Sequence, residues 1–417
     1  MLESEFSRRG VEDNTLGRTR EHVRQHNLAT ILTTLHNEGP LGRNVLTTRT
    51  GLNRSTISSL VTELEQLGLV EEVSASTQQG AGRPTIVVGI KDTVVAFSVA
   101  IDIDSIIVSV VSLSGRVLKT VRRRTPDAPA ARTAIVTARD IIKSLRAELA
   151  PGTRVAGVGV ALPGQVSIAD GVVSEPAFLN WKQAPFAARL SEEVRLPVFV
   201  DNDARLGLLA EHDFGVGKPF SNIVYLVGHA VGIGGGVIED GRPLRGSRGF
   251  AGELGHFRLT LPMTVPTAGF SGTLSSLVQR DELLEALGET TSIDDVKLEA
   301  ALRVSTSPRV RRVVESQLDR LAIAIAGLVN IFNPEAVLLA GFLGIIYDRD
   351  PEYLNRAIAE HVLEPSWADT VLLRTKPGSD LLMIGASELA FASLLRDPSG
   401  FEFARTMSLA PVEADDQ

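Results

Sequence analysis

The 417 residues include no cysteine, 44% hydrophobic residues and 37 glycines, and carry a formal charge of −8 at neutral pH. Disulfides, thiol catalysis and thiolate-bound metals are thereby excluded, and the negative balance argues against indiscriminate polyanion binding while allowing a local basic face. The length allows two or three domains with a sizeable core, and the glycine content suits an α/β protein with many tight turns.

At the start, MLESEFSRRGVEDN lacks the apolar stretch of a secretion signal, and no apolar run approaches membrane-spanning length. The expectation is a soluble cytoplasmic protein with polar tails at residues 1–17 and 408–417. From Thr19 to Gly39, Val23, Leu28, Ile31, Leu32 and Leu35 recur at near-helical spacing, and Gly39-Pro40 stops the helix. A short helix around 44–50, a turn at Gly51-Leu52-Asn53 and a helix from about Ser55 to Leu67 follow. Ile57, Leu60, Val61, Leu64 and Leu67 form the buried stripe of that last helix, Gly68 its C-cap, and Leu69–Val73 the start of a wing strand.

Helix, glycine turn and a helix with hydroxyls in its first turn make a helix-turn-helix pattern. Its polar face is Arg54, Ser55, Thr56, Ser58 and Ser59. Short hydroxyls approach phosphates and base edges closely, and arginine reaches guanine or phosphate. A three-helix interaction domain with Ser55 as an N-cap fits the same residues. Residues 18–54 hold six arginines against Glu21 and Glu38, a local basic excess that favours double-stranded DNA as partner. The connector STQQGAGRPTIVV places Arg83 between Gly82 and Pro84, suited to a minor groove or merely to solvent.

From Thr93 strands alternate with helices. Strands are expected at 94–101, 106–113 and 117–122, a crossover helix at 129–149, strands at 155–161 and 197–200, and a helix at 204–214. The opening pattern then recurs with strands at 223–228 and 233–238, a long helix over 308–332 and a strand at 336–340. The repetition implies an internally duplicated α/β body with a ligand cleft between its halves. Three stretches carry polar residues that strand and helix packing do not require. They are ALPGQV (161–166) followed by SEPAFLNWK (174–182), VDNDA (200–204) and GFAGELGH (249–256). Asn202, Asp203, Glu253 and His256 together suit a polyol, whose hydroxyls each donate and accept. Taken singly, Asp203 fits an N-cap and His256 a core histidine equally well.

GIGGGVIEDGRPLRGSRGFAGELGH (232–256), ALPGQV and DNDA resemble the ROK family of bacterial sugar kinases and sugar-responsive transcription regulators. RQHNLATIL, GLNRSTISSLVTELEQLGLV and GAGRP resemble the winged helix-turn-helix of its regulator branch. Over roughly residues 18–395, the resemblance implies an N-terminal winged helix-turn-helix (18–75), a linker (76–92) and a two-lobed actin-like, RNase H-like α/β body. The first lobe would span 93–215 and the second 216–400, with a C-terminal helix that can return to the first lobe. A monosaccharide effector would lie between the lobes, contacted by Asn202, Asp203, Glu253 and His256. In the kinases the aspartate matching Asp203 is the general base.

Kinases of this family carry an acidic-Gly-Gly-Thr turn where this chain has Asp102-Ile103-Asp104-Ser105-Ile106. At ~4 Å two like charges repel by about 1 kcal/mol in water and several-fold more in a cleft. A carboxylate in place of the first glycine thus opposes a triphosphate, and Ile106 removes an expected hydroxyl. His229-Ala230-Val231 also departs from the small residues of the second phosphate segment, as Ala340 does from a glycine near the adenine end. The cysteines that bind structural zinc in most members are missing from 261–280, where Thr273 stands near one expected position and Ser275 where a sugar-binding glutamate is common.

The resemblance therefore implies a non-enzymatic, sugar-responsive repressor of carbohydrate genes. It would need no cofactor or metal and would act as a homodimer or tetramer. The alternatives are a bifunctional sugar kinase and a regulator with a vestigial cleft.

Overall fold

The computed structural model describes residues 20–74, 86–166, 173–175, 179, 181, 184–230, 232–260, 271–289, 293–376 and 380–403. They form two compact units, one comprising residues to Lys91 with Ala392–Glu402, the other running from Asp92 to Phe391.

The N-terminal unit contains α1 (Arg20–Glu38), α2 (Arg43–Thr50) and α3 (Arg54–Gln66) around buried Leu28, Ile31, Leu32, Leu46, Ile57, Val61 and Leu64. Gly51 ends α2 in the left-handed region at φ 69°, its N–H donating to Thr47 O. Two residues on, Asn53 caps α3 by accepting the Thr56 N–H. The chain then forms β1 (Val70–Ser74), which pairs antiparallel with β2 (Ile86–Ile90), Val70 opposite Ile90. Leu41 bridges Val88 on the far side of β2, so the three-helix core closes against a wing. Residues 86–90, read from sequence as linker, are thus the second wing strand. Their pairing partners lie 12 positions back for Ser74–Ile86 and 20 for Val70–Ile90, and are invisible to local periodicity.

The second unit contains two five-stranded sheets of the same topology. In the first, β3 (Val94–Ile101), β4 (Ser105–Ser112) and β5 (Val117–Arg124) form an antiparallel meander. After α4 (Ala131–Ala147) the chain returns as β6 (Arg154–Leu162), parallel to β3. A small ribbon, β7 (Gln165–Val166) and β8 (Val173–Glu175), and α5 (Phe186–Val194) lead to β9 (Val198–Asn202), parallel to β6. Then α6 (Asp203–Phe214) crosses to the second sheet. There β10 (Ile223–His229), β11 (Gly232–Glu239) and β12 (Arg242–Pro243) repeat the meander.

Past α7 (Leu274–Leu277), α8 (Arg280–Leu287), α9 (Asp295–Val304) and the long α10 (Pro308–Phe332), β13 (Ala336–Gly341) lies parallel to β10. Three helices, α11 (Phe342–Arg349), α12 (Pro351–Ala359) and α13 (Glu364–Trp367), precede β14 (Val371–Arg374), parallel to β13. The sheet orders β5-β4-β3-β6-β9 and β12-β11-β10-β13-β14 superpose step for step, so the duplication read from the pattern is real.

β3 and β4 are buried along their whole length, which is why they read as unbroken apolar runs. The last helix, α14 (Asp380–Arg396), returns to the first sheet: the Ser98 hydroxyl on β3 donates to Met383 O, and Ala100, Ile107, Ala161, Met383 and Ala386 share one core cluster.

Candidate functional site

The cleft between the sheets holds a cavity of about 630 Å³. Its first-lobe wall includes the β3–β4 turn, and its second-lobe wall the start of the β10–β11 turn. Of the four residues read as sugar contacts, Asp203 lines this cavity, whereas Asn202, Glu253 and His256 lie outside its lining.

α6 begins at Asp203 because Asn202 is its cap: the Asn202 side-chain Oδ1 accepts the Arg205 N–H at 3.0 Å. Its amide nitrogen donates to Gly164 O at 2.9 Å, which ties ALPGQV to the helix start. Capping therefore falls to Asn202, and Asp203 keeps one carboxylate oxygen for other work. Its Oδ1 accepts the Ala204 N–H, and its Oδ2 lies 3.8 Å from His229 Nε2. Burial pushes the Asp203 carboxyl above the usual range; the nearby His229 opposes the shift and Asp102 adds to it.

Glu253 precedes and His256 ends a single 3-10 turn over 254–256, with 3.9 Å between Glu253 Oε2 and His256 Nε2. The loop lies flat against β11: a Cβ on Gly255 would fall 1.8 Å from Ile233 O. Burial raises the Glu253 carboxyl as well, opposed by His256 and Arg205.

Sequence reasoning missed Arg205. This buried side chain pairs with Asp201 at 2.7 Å and donates through Nη2 to Gly249 O, fastening the 249–256 loop to α6. The i,i+4 spacing of Asp201 and Arg205 was the available signal. His229, noted only as a departure from the family, also faces into the cavity. So do Arg122, Arg124 and Lys376, which make no ion pair among the described residues.

The β3–β4 turn is closed on itself. Asp102 Oδ1 accepts the Ile103 N–H at 2.7 Å, and the Asp102 N–H donates to Ser105 O at 2.8 Å. These two backbone donors, which a phosphate would need, are already taken. The Ser105 hydroxyl donates to Asp104 Oδ1, and Ile106 is buried in the core opposite Ile101, away from the cavity lining. Ala340 does line the cavity.

Ser275 does not point its hydroxyl at a ligand: Oγ accepts the Ile233 N–H at 3.0 Å and donates back to Ile233 O. The donors near His256 do not fit a structural zinc. The chain has no cysteine, and no group of three or more His, Asp or Glu side chains among the described residues could hold a metal. Backbone pairing instead joins the described residues on either side of 261–270, through Leu259 N–H to Gly272 O and Leu274 N–H to Phe257 O. In the 174–182 stretch, Trp181 is a core residue stacked on Phe186 at 5.3 Å, its Nε1–H donating to Pro129 O.

In the head, Arg54, Ser55, Ser58 and Ser59 are exposed on α3 and Thr56 is half-buried, with the Ser55 hydroxyl donating to Asn53 Oδ1. Ser55 is therefore not the cap. The expected local basic excess is largely neutralised within the fold, because Arg24 pairs with Glu21 and Glu63, Arg43 with Glu72 and Arg49 with Glu38. Arg54 makes no ion pair among the described residues, and Arg83 lies outside them.

Residues 97–393, nearly the whole two-lobed unit, match the ROK family. The chain belongs to the ROK family. It is 26% identical over 344 residues to a xylose repressor of Caldicellulosiruptor bescii, spanning 78% of this chain and 86% of that protein. It is 28% identical to the xylose repressor of Bacillus subtilis over 81% of this chain and 87% of that one. Among solved structures, a ROK family transcriptional regulator, described as a homologue of the E. coli Mlc protein, aligns with a TM-score of 0.73 at 25% identity. That alignment covers 90% of this chain and 97% of the other. A ROK hexokinase from Thermus thermophilus aligns at 0.58 and 26% identity over 72% of this chain and 99% of its own. No helix among the described residues is long and apolar enough to cross a membrane.

Proposed function

We propose that this protein is a sugar-responsive, DNA-binding transcription repressor without kinase activity. The observation that carries the reading is the extent of likeness. The ROK regulator matches 90% of this chain and nearly all of itself, whereas the ROK hexokinase is used up within 72% of it. The surplus corresponds in size to the winged head. Both repressor relatives described above are named xylose repressors, which makes pentoses and related aldoses the effectors to test first. The self-closed Asp102–Ser105 turn supports the loss of phosphoryl transfer, since it offers a triphosphate carboxylates instead of free N–H donors.

In this reading Asn202, Asp203, Glu253 and His256 contact the sugar, Asn202 with its remaining amide hydrogen. Arg54, Ser55, Thr56, Ser58, Ser59 and Arg83 meet the operator. Two heads of a homodimer read a pseudo-palindromic site whose half-sites lie one or more helical turns apart. Sugar acts by binding one quaternary state more tightly than the other.

The test has two parts. DNA recovered by selection from a random pool should share an inverted repeat. Arg54→Ala should weaken binding to it about tenfold or more and lower the salt slope by about one. An aldose panel led by D-xylose should raise the melting temperature by a few degrees, since ligand at a hundredfold its Kd adds about 2.7 kcal/mol, and should release the DNA. No enriched sequence sinks the regulator reading, and ADP formation with any aldose restores the kinase.

A further inference from the structure

Asp102, Asp104, Asp203, Glu211, Asp294 and Asp295 line the cavity, and the fold supplies each with a hydrogen-bond donor. The donors are the Ile103 N–H, the Ser105 hydroxyl, the N–H groups of Ala204, Val216 and Lys297, and the Arg280 guanidinium. The cations of the same cavity divide into two sets. Arg280 pairs with Asp295, and Arg374 with Glu299 and Asp348. Arg122, Arg124 and Lys376 are exposed, and their side chains make neither a hydrogen bond nor an ion pair among the described residues. Arg122 and Arg124 alternate with Arg123 on β5, so both face the cavity and Arg123 does not. They lie about 7 Å apart along the strand, close enough for two long side chains to converge on one group.

Tyr225 points the same way independently. It is only 5% exposed, yet its hydroxyl makes no hydrogen bond among the described residues. The hydroxyl lies against Gly207, which also lines the cavity, and it is not sealed from that space. Burial, with the Glu211 and Asp203 carboxyls nearby, pushes the phenol up, so it keeps its proton and stays a donor. Arginine is charged at every working pH, so its part needs no choice of protonation state. A nearly buried donor without an acceptor and three cations without counter-ions share one complement, an anion that accepts many hydrogen bonds. One guanidinium satisfies a carboxylate, whereas a phosphate group offers three oxygens to several donors.

We propose that the cavity is a second effector site, in which Arg122, Arg124, Lys376 and Tyr225 hold a single phosphate group, either inorganic phosphate or the phosphate of a small monoester. A lone phosphate brings far less charge past Asp102 and Asp104 than a triphosphate does, so the basic wall and the self-closed turn are compatible. The site does not depend on sugar sensing, because Asn202, Glu253 and His256 lie outside the cavity lining.

The test is thermal melting and calorimetry of the full chain with potassium phosphate, glycerol 3-phosphate, D-ribose 5-phosphate and D-glucose 6-phosphate. Potassium chloride and potassium acetate at equal ionic strength are the controls. At least one phosphate compound at about 10 mM should raise the melting temperature by a degree or more above both controls. Tighter binding of an ester than of inorganic phosphate identifies a phosphorylated metabolite as the source, and equal binding identifies free phosphate. The double variant Arg122→Gln/Arg124→Gln should weaken that binding tenfold or more, and Lys376→Gln and Tyr225→Phe severalfold each. Without ligand all of them should melt close to the wild-type temperature, since none of the altered groups bonds anything in the fold. No shift beyond the controls, an equal shift with acetate, or unchanged phosphate affinity in the double arginine variant overturns the proposal.

Discussion

The two lobes share one strand order but hold their cleft-facing segments by opposite means. In the first lobe side chains do the fastening. Asp102 and Asp104 bond the β3–β4 turn, Asn202 caps α6, and Arg205 pairs with Asp201. In the second lobe backbones approach each other directly, and glycines make the approach possible. Gly341 at φ 58° lies where a Cβ would meet Gly228 O at 2.1 Å, and Gly255 abuts Ile233 O. The contrast explains how a duplicated fold acquires two unlike walls. A turn locked by its own side chains has spent its donors, whereas a wall built on close backbone approach leaves side chains such as His229 to line the cavity.

Four substitutions would break or sharpen this contrast. The largest effect belongs to Arg205→Ala. Removing one partner of a buried ion pair costs about 3–5 kcal/mol, because Asp201 is left buried and uncompensated. Denaturation should show that loss together with a release of the 249–256 loop; a change below about 1 kcal/mol would mean the pair fastens nothing. Next is Gly341→Ala, which forces a methyl into the β10–β13 contact at a strained φ and should cost about 1–3 kcal/mol by the same measurement. A neutral result there would show that backbone approach is not what shapes the second wall.

Asp104→Gly comes third and tests the first wall. Removing one like charge of about 1 kcal/mol or more should strengthen nucleotide binding roughly fivefold to tenfold in a titration with ATP, still without transfer. If affinity for ATP does not change, the turn is not what excludes the triphosphate.

The smallest effect is electrostatic. Asp203 is held above its unfolded pKa, so folding takes up protons near that range. Its contribution is full below the unfolded pKa and is lost as pH rises through the folded one. Asp203→Asn lacks this term. The melting temperature of the variant should therefore gain on wild type as pH rises from about 4 toward neutrality. A drift the other way would show that His229 outweighs burial at this carboxyl.

Much of this was legible in the chain. The winged head, the duplicated body and the cluster of VDNDA with GFAGELGH follow from periodicity, glycine placement and motif, because each is written in residues close together in sequence. The partners of those residues were not legible. Asp203 and Asn202 both suit a helix start, and only the packing of ALPGQV against α6 gives the cap to Asn202. The six arginines of 18–54 read as a basic face. Three of them are neutralised by glutamates of the same head, one of those on α3 and another on the wing, pairings that helical periodicity does not reveal. Ser275 read as a lost ligand, yet its hydroxyl holds β11.

Local sequence determined which segments are helix, strand and turn, since those depend on hydrophobic period, caps and φ preferences within a few residues. It also determined the family, and so the two-lobed plan. Tertiary structure alone decided which polar groups were already satisfied and which, like His229 Nε2, were left buried without a hydrogen-bond partner among the described residues. That decision depends on distances between residues far apart in the chain, which no local pattern encodes.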